Sequence, residues 1–256
     1  MMFAVAGGFL LAGAIGASWW NWARPVATDA ATFCPQPQPM AVHAVLVDRS
    51  DPISANQQRR VREVLDRAVA EAPVGARVAL YVSEADDVEV LSPRLVLCNP
   101  GTTRSPFYPE PAPLRERYEQ AFRAEIDKVM EEVQQRPERS LAPVMEAVRA
   151  VCIDAFARSA TGGPLSMTII GDMAQYSRLA NHHANRDFET ILGSPRLDAV
   201  LADCKSAEVD IVYLERPTPA FMPGPQGLAH RRFWELFLQK MKARPRNIEP
   251  VPTAAP

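Results

Sequence analysis

Acids and hydroxyls follow abruptly after an apolar run in the segment VLVDRSDP, residues 45–52. Asp48 and Ser50 stand two residues apart, and both side chains carry oxygen donors, which suit a hard cation such as Mg²⁺. The apolar run predicts a buried parallel strand, which places Asp48 at its carboxyl end. Because open α/β sheets bind ligands at that edge, Asp48 is a candidate site residue.

A second apolar run, LSMTIIGD at residues 165–172, also ends in an acid, Asp172. If the two strands are neighbours, Asp48 and Asp172 emerge side by side. Ser140 opens a predicted helix whose first turn can point at the same edge. Two carboxylates and two hydroxyls, completed by water, would surround Mg²⁺. The sequence therefore predicts a magnesium site formed by Asp48, Ser50, Ser140 and Asp172.

Strands alternate with helices along the chain, which predicts an α/β fold: a mainly parallel, Rossmann-like sheet with helices on both faces. A short polar connection between the second and third strands indicates a hairpin, and therefore one antiparallel edge strand. Ser54 and Gln57 form a predicted capping box at the start of the first helix. The predicted strands are 42–48, 76–83, 88–97, 165–171 and 209–214, and the predicted helices are 54–72, 114–135, 140–158, 187–204 and 227–244.

In this element order, and in its acids, the chain resembles a von Willebrand factor type A domain over residues 42–244. That family has a metal-ion-dependent adhesion site with an Asp-x-Ser-x-Ser loop, a Thr before a later helix and an Asp after the fourth strand. Asp48 and Ser50 match the loop, Ser140 would replace the Thr, and Asp172 matches the distal Asp. Pro52 stands where the second Ser belongs, and Asp51 is an additional acid.

The resemblance implies a binding module, in which an acidic residue of a protein partner completes the shell of the cation at the carboxyl edge of the sheet. The chain also resembles bacterial membrane-anchored proteins of unknown role that carry a similarly altered Asp-x-Ser/Thr-Asp-Pro motif, and this second resemblance implies no activity. We therefore expect a scaffold or assembly factor rather than an enzyme. Two alternatives stay open: a hydrolase or phosphotransferase using Asp48, and a structural subunit of a membrane complex whose site is vestigial.

Residues 3–20 contain no charge and predict a membrane-spanning helix near the lower limit of length. Trp19 and Trp20 suit the membrane interface. A cleaved signal peptide is the alternative, but no basic residue precedes the run, which is longer than a usual signal core. We expect a non-cleaved anchor over residues 1–22, in a single-pass protein of the bacterial inner membrane.

Proline-rich segments flank the predicted domain of residues 42–244. Residues 23–41 predict a semi-rigid linker, and residues 245–256 predict a disordered tail. In the anchor, small residues recur at a spacing of four and would let two helices pack closely, so a homodimer formed through the anchor is one alternative. These small residues are Gly8, Ala12 and Gly16.

The four cysteines are well separated and form no CxxC pair, which argues against a zinc site. Behind an exported anchor they would permit two disulfides in any of three connectivities, and buried free thiols are the alternative. A periplasmic domain is favoured over a cytoplasmic one. The cysteines are Cys34, Cys98, Cys152 and Cys204.

The net charge of −2 and the scattered basic residues give no basis for nucleic-acid binding. Tyr176, His182 and His183 follow Asp172 closely and are expected to line a partner surface. His43 and His230 are isolated in the sequence, and a structural role is expected for each. The chain contains no nucleophile elbow, P-loop or dinucleotide fingerprint.

Overall fold

The computed structural model describes residues 27–36, 38–83, 91–134, 141–157, 162–217 and 224–254. Within these ranges, strands and helices alternate around one sheet. The strands are β1 Ala41–Asp48, β2 Ala76–Ser83, β3 Leu95–Cys98, β4 Leu165–Gly171, β5 Glu208–Leu214 and β6 Arg244–Val251. The helices are α1 Ala55–Ala70, α2 Pro111–Glu132, α3 Val144–Val151, α4 Phe188–Gly193 and α5 Leu228–Lys240.

The sheet has the strand order β3-β2-β1-β4-β5-β6. All neighbouring strands run parallel except β3, which is antiparallel to β2 at the edge. This confirms the predicted mainly parallel sheet with one antiparallel edge strand. The order reverses between β1 and β4, which is the topological switch point where sheets of this type bind ligands.

Helices cover both faces of the sheet, because alternate side chains of a strand point in opposite directions. In β1, Ala44 and Leu46 pack with α3, α4 and α5, whereas Val45 and Val47 pack with α1 and α2. Both faces of β1 are therefore buried, which explains its continuous apolar run. The predicted two-sided helix packing is confirmed.

The capping box of α1 forms as predicted. The Ser54 hydroxyl accepts from the Gln57 N–H, and the Gln57 side chain accepts from the Ser54 N–H. The buried Gln57 also donates through Nε2 to the carbonyl oxygens of Glu215 and Val251. The first turn of α1 is thereby tied to the carboxyl ends of β5 and β6.

Two predicted helices have different bounds because of proline. The helix expected from residue 140 begins at Val144, and Ala142 before Pro143 is extended and pairs with Tyr176. A π-helical turn, Cys152–Ala157, continues it. The helix expected over 187–204 is divided into α4 and a 3₁₀ turn, Pro195–Val200, because Ser194 before the proline is extended.

The third strand is shorter than the predicted run over 88–97. Residues 84–90 lie outside the described part of the chain, and residues 91–94 are not strand. The pairing with β2 runs to Leu95, and the Arg94 N–H still donates to the Leu80 carbonyl oxygen at 2.7 Å, so the paired stretch stops next to Pro93, which has no N–H to donate.

The predicted disordered tail over 245–256 is wrong for most of its length. Arg244–Val251 forms β6, which pairs in parallel with β5. Pro245 and Pro250 suggested a tail, but β6 is an edge strand, where the missing N–H of proline is tolerated. The folded domain therefore extends beyond residue 244.

Two disulfides join the four cysteines, so the alternative of free thiols is excluded. Cys34–Cys98 attaches the segment 27–36 to β3, and Cys152–Cys204 attaches the end of α3 to the loop before β5. Each closes a loop of more than fifty residues. Closing loops of this length stabilises a fold by about 2–4 kcal/mol each.

Candidate functional site

Asp48 and Asp172 lie at the carboxyl ends of two neighbouring strands. Asp48 is the last residue of β1, and Asp172 directly follows β4. Val47 pairs with Ile170, so both acids leave the sheet at the switch point. Both are buried: 7% of Asp48 and 1% of Asp172 is exposed. Two acids withdrawn from water at one edge require compensation from neighbouring groups.

Gly171 makes this close arrangement possible. A Cβ atom built on Gly171 would lie 2.8 Å from the Cβ of Asp48, which is closer than real side chains approach. The backbone of Gly171 has no positive φ, so its value here is the missing side chain rather than an unusual conformation. Glycine before Asp172 therefore lets Asp48 pack directly against the end of β4.

The Asp48 carboxyl is bonded to Ser50, two residues along the chain. Oδ1 accepts from the Ser50 N–H at 3.0 Å, and Oδ2 accepts from the Ser50 hydroxyl at 2.9 Å. Burial, and then the negative charge of Asp172, raise the pKa of Asp48 to about 7, against the lowering effect of these hydrogen bonds. A substantial fraction of Asp48 is therefore protonated at neutral pH.

Arg216, two residues after β5, provides the positive charge at this edge. Its Nε donates to Oδ2 of Asp172 at 2.9 Å, and its Nη1 donates to the carbonyl oxygen of Pro52. The other oxygen of Asp172 accepts from the Ala174 N–H at 2.9 Å. One guanidinium thus links the loops after β1, β4 and β5.

Gln226, just before α5, holds Arg216 in place. Its Oε1 accepts from the Arg216 N–H at 2.7 Å, and its Nε2 donates to the carbonyl oxygens of Asp172 and Leu214, each at 2.9 Å. One amide side chain therefore holds together the backbone after β4, which carries Asp172, and the backbone after β5, which carries Arg216. Neither Arg216 nor Gln226 belongs to a sequence motif. The one signal for Arg216 is its place just after the apolar run of β5, at the same edge of the sheet as the two acids.

Asp51, the additional acid, is exposed and extends this cluster toward solvent. Partial burial and the charge of Asp172 raise the pKa of Asp51, while Arg216 and His183 lower it. His183 is also exposed, so the rim of the cluster carries an acid and an imidazole near each other. We refer below to Asp48, Asp51, Asp172 and Arg216 as the carboxylate–arginine cluster.

The structure brings together three of the four predicted metal ligands: Asp48, Ser50 and Asp172. Ser140 lies outside the described residues. The placed residues do not fit a Mg²⁺ shell, because the guanidinium of Arg216 contacts the Asp172 carboxylate that the ion would need. In the described part of the chain, no three His, Cys, Asp or Glu side chains are grouped so that they could hold a metal ion. Magnesium binding stays a prediction.

The prediction that His182 lines a partner surface is wrong, because His182 is completely buried. Its Nδ1 lies 2.9 Å from Nε2 of His230, whose Nδ1 lies 2.6 Å from the Tyr213 hydroxyl. Phe188, Phe233 and Trp234 surround the pair. We refer to His182 and His230 with these partners as the histidine cluster. Its core residues are far apart in the sequence, so no local signal reveals the pairing.

Tyr176 and His183 are exposed, as expected of residues that line a surface. The Tyr176 backbone forms two hydrogen bonds with Ala142, of 2.8 and 2.9 Å, and 43% of the residue is exposed. Its ring is therefore presented on a fixed backbone in the loop that follows Asp172.

A cavity of about 840 Å³ lies at the opposite, amino end of the sheet. Its charged residues are paired with one another, as in Arg60–Glu249 and Arg246–Asp210. His43 in its wall contacts the Ser166 hydroxyl at 2.8 Å, which fits the structural role expected of it. The cavity lies away from the carboxyl edge, and the polar groups of the switch point take no part in it.

The predicted anchor over residues 1–22 lies outside the described residues. Among the residues that are described, no helix has the length and apolar character needed to cross a membrane.

No protein-family model matches the sequence, and no curated protein matches it significantly. Among solved structures, the chain is similar to the VWA domain of SpRpn10, with a TM-score of 0.42 and 10% identity over 85% of this chain and 90% of that one. It is also similar to an aerotolerance-related membrane protein from Bacteroides fragilis (TM-score 0.39, 8% identity, 82% and 91% covered). The conserved hypothetical protein BatB from Bacteroides thetaiotaomicron is comparable (TM-score 0.41, 8% identity, 84% and 91% covered). Similarities at this level carry no argument about function, and the fold class follows from the strand order and directions of the chain itself.

Proposed function

We propose that this protein is a membrane-anchored binding module that docks a protein partner at the carboxyl edge of its sheet. The observation that carries the proposal is Tyr176, a large ring exposed on a backbone fixed by Ala142 beside the switch point. Tyrosine supplies large contact area at a low entropic cost, and it is enriched among the residues that dominate interface energies. Asp51 and His183 would add polar contacts around it.

The carboxylate–arginine cluster favours binding over catalysis. Both oxygens of Asp48 accept hydrogen bonds from Ser50, and only 7% of the residue is exposed, so the carboxyl is not presented to a substrate as a free nucleophile. The enzyme alternative, a hydrolase or phosphotransferase using Asp48, predicts turnover of a phosphorylated substrate that Asp48→Asn abolishes. The structural-subunit alternative predicts a partner whose affinity does not change when residues at the carboxyl edge are substituted.

The position of the first described residues suits this arrangement. Cys34 is joined to Cys98, which pairs with Arg77 at the amino end of β2. β1 has eight residues and spans about 25 Å, and Asp48 is its last residue. A membrane anchor that precedes Cys34 would therefore join the domain at the amino end of the sheet, about 25 Å from Asp48. The two disulfides support an oxidising compartment, and we assign the domain to the periplasmic side of a bacterial inner membrane.

Site-specific cross-linking of the full chain in its membrane tests the docking edge. A photoreactive amino acid at position 176 should give a defined cross-linked protein, identified by mass spectrometry. Met40 provides the matched control, because it is exposed to a similar extent but lies at the amino end of β1.

The identified partner is then purified, and its affinity is measured for the full chain in detergent. Tyr176→Ala should weaken binding at least about tenfold, as expected for a central interface aromatic, while Met40→Ala leaves it unchanged. Equal cross-linking at positions 176 and 40, or equal affinity of the two variants, would refute docking at this edge.

A further inference from the structure

We infer that the guanidinium of Arg216 takes the place of a divalent cation in the carboxylate–arginine cluster, so that the carboxyl edge is assembled without metal. This inference rests on the proposed function, because it states how the proposed docking edge is held together. It also departs from the magnesium site that the sequence predicts at Asp48, Ser50, Ser140 and Asp172.

The contacts of Arg216 join the same loops that a bound ion would join. Nε reaches Asp172 after β4, and Nη1 reaches the carbonyl of Pro52 in the loop after β1. Asp172 is buried, whereas about a quarter of the Arg216 side chain is exposed. The positive charge therefore enters from the solvent side and covers the buried carboxylate.

Pro52 connects this arrangement to the altered motif. In the family that the chain resembles, a second Ser hydroxyl belongs at this position, and proline cannot provide one. Pro52 contributes its carbonyl oxygen instead, and the acceptor is used by Arg216. The residue that has no hydroxyl to offer an ion thus offers its carbonyl oxygen to the guanidinium.

Electrostatics explains why one occupant excludes the other. A buried carboxylate next to a second acid needs a nearby positive charge, and arginine stays protonated at every physiological pH. Mg²⁺ requires close octahedral oxygen ligands and could use Asp172 only if the like-charged guanidinium moved away. Gln226 fixes the backbone from which the Arg216 side chain extends, because it binds the Arg216 N–H and the carbonyl oxygens of Asp172 and Leu214.

Cation binding by the full chain in detergent tests the inference. Mn²⁺ binding is measured by electron paramagnetic resonance, and the melting temperature is measured with EDTA and with millimolar Mg²⁺. The wild type should bind no Mn²⁺ at this edge and should melt at the same temperature in both conditions. Arg216→Ala should melt lower in EDTA, recover part of the loss with Mg²⁺, and bind Mn²⁺.

Two further variants keep the outcome decisive. Arg216→Lys retains the charge and should stay insensitive to cation. If Arg216→Ala does not fold, Arg216→Gln replaces it, because it also removes the charge, and it should acquire the same cation response. Arg216→Ala combined with Asp172→Asn should lose the acquired Mn²⁺ binding. Mn²⁺ bound by the wild type and released by Asp172→Asn overturns the inference, as does an Arg216→Ala variant that folds but acquires no cation response.

The binding assay separates this inference from the proposed function. A partner captured at Tyr176 in EDTA as well as in Mg²⁺ agrees with both. A partner captured only in Mg²⁺ overturns the inference and leaves docking intact. If no partner is captured in either condition, docking fails, and the Mn²⁺ measurements alone still decide the role of Arg216.

Discussion

The carboxylate–arginine cluster and the histidine cluster bury polar groups in opposite ways. Asp48 and Asp172 bury two carboxyl groups at the edge of the sheet, and the cluster contains one permanent positive charge from Arg216. His182 and His230 are enclosed by aromatic rings. The first cluster is stabilised by charge pairing, whereas the second remains buried by staying neutral. Within them, Asp48 and the two histidines should respond to pH with opposite signs.

Burial lowers the pKa of His182 to about 3 and the pKa of His230 to about 4. In the unfolded chain both would titrate near their ordinary value of about 6.5. The folded state thus binds fewer protons than the unfolded state between these values. Their stabilising contribution is present above about pH 6.5 and is lost as the pH falls toward 4.

Asp48 has the reverse behaviour. Burial and Asp172 raise its pKa to about 7, so the folded state holds a proton that the unfolded state has already released. The favourable contribution of Asp48 is present at low pH, below the unfolded pKa of about 4, and is lost as the pH rises through 7. Acid therefore favours the buried Asp48 while it disfavours the histidine cluster.

The largest expected effect belongs to the histidine cluster. On acidification from about pH 7 to about 4.5, each of His182 and His230 should remove about 2–3 kcal/mol from the free energy of unfolding. Urea unfolding at a series of pH values measures this slope. Phenylalanine at both positions should flatten it.

His43 provides a control for the dependence of stability on pH, because burial also lowers the pKa of His43 to about 4. His43→Phe should remove a separate part of the acid response. If the variant with phenylalanine at 182 and 230 keeps the full wild-type slope, the two histidines are not the acid-sensitive groups.

An intermediate effect is expected at the carboxyl edge. Asp48→Asn removes an acid whose ionisation in the folded state is costly, so its gain in the free energy of unfolding should be about 2–3 kcal/mol larger at pH 8 than at pH 5. Chemical unfolding at the two pH values measures the difference.

Asp127→Asn is the matched control, because Asp127 is an exposed acid paired with Arg62. It should change stability by less than about 1 kcal/mol at both pH values. A loss of stability that is equal at pH 5 and pH 8 in Asp48→Asn would contradict a buried, proton-holding Asp48.

The smallest expected effect concerns the packing under the acids. Gly171→Ala forces the end of β4 away from Asp48 and should cost about 1–3 kcal/mol, the usual range for overpacking. Gly193→Ala is the control, since a Cβ there meets nothing within 4 Å. Thermal unfolding compares the two variants. Similar melting temperatures would show that Asp48 and β4 are not in close contact.

Local patterns in the sequence predicted most of the fold. Buried strands were visible as apolar runs ending at Asp48 and Asp172, and the start of α1 was visible in Ser54 and Gln57. The prolines near the end of the chain led to a wrong prediction, because proline is compatible with both a disordered tail and an edge strand. Pro245 and Pro250 lie in the edge strand β6. The pairing of cysteines could not be chosen from spacing alone.

The candidate site was only half predictable. Asp48, Ser50 and Asp172 follow from the rule that ligands bind at carboxyl strand ends. The role of Arg216 does not, because its partner Pro52 is 164 positions away in the sequence. His182 similarly looks like a polar loop residue until His230, 48 positions away, is placed against it.

By itself, the amino-acid sequence determined the alternating strands and helices, the capping of α1, and the two acids at the carboxyl edge. These depend on side-chain periodicity and on contacts between near neighbours, which a linear pattern records. Only the tertiary structure decided what compensates those acids, since the strand order brings the end of β5 beside β4. Charge compensation depends on distance in space, and Arg216 stands 44 residues from Asp172 in the chain but 2.9 Å from it in the fold.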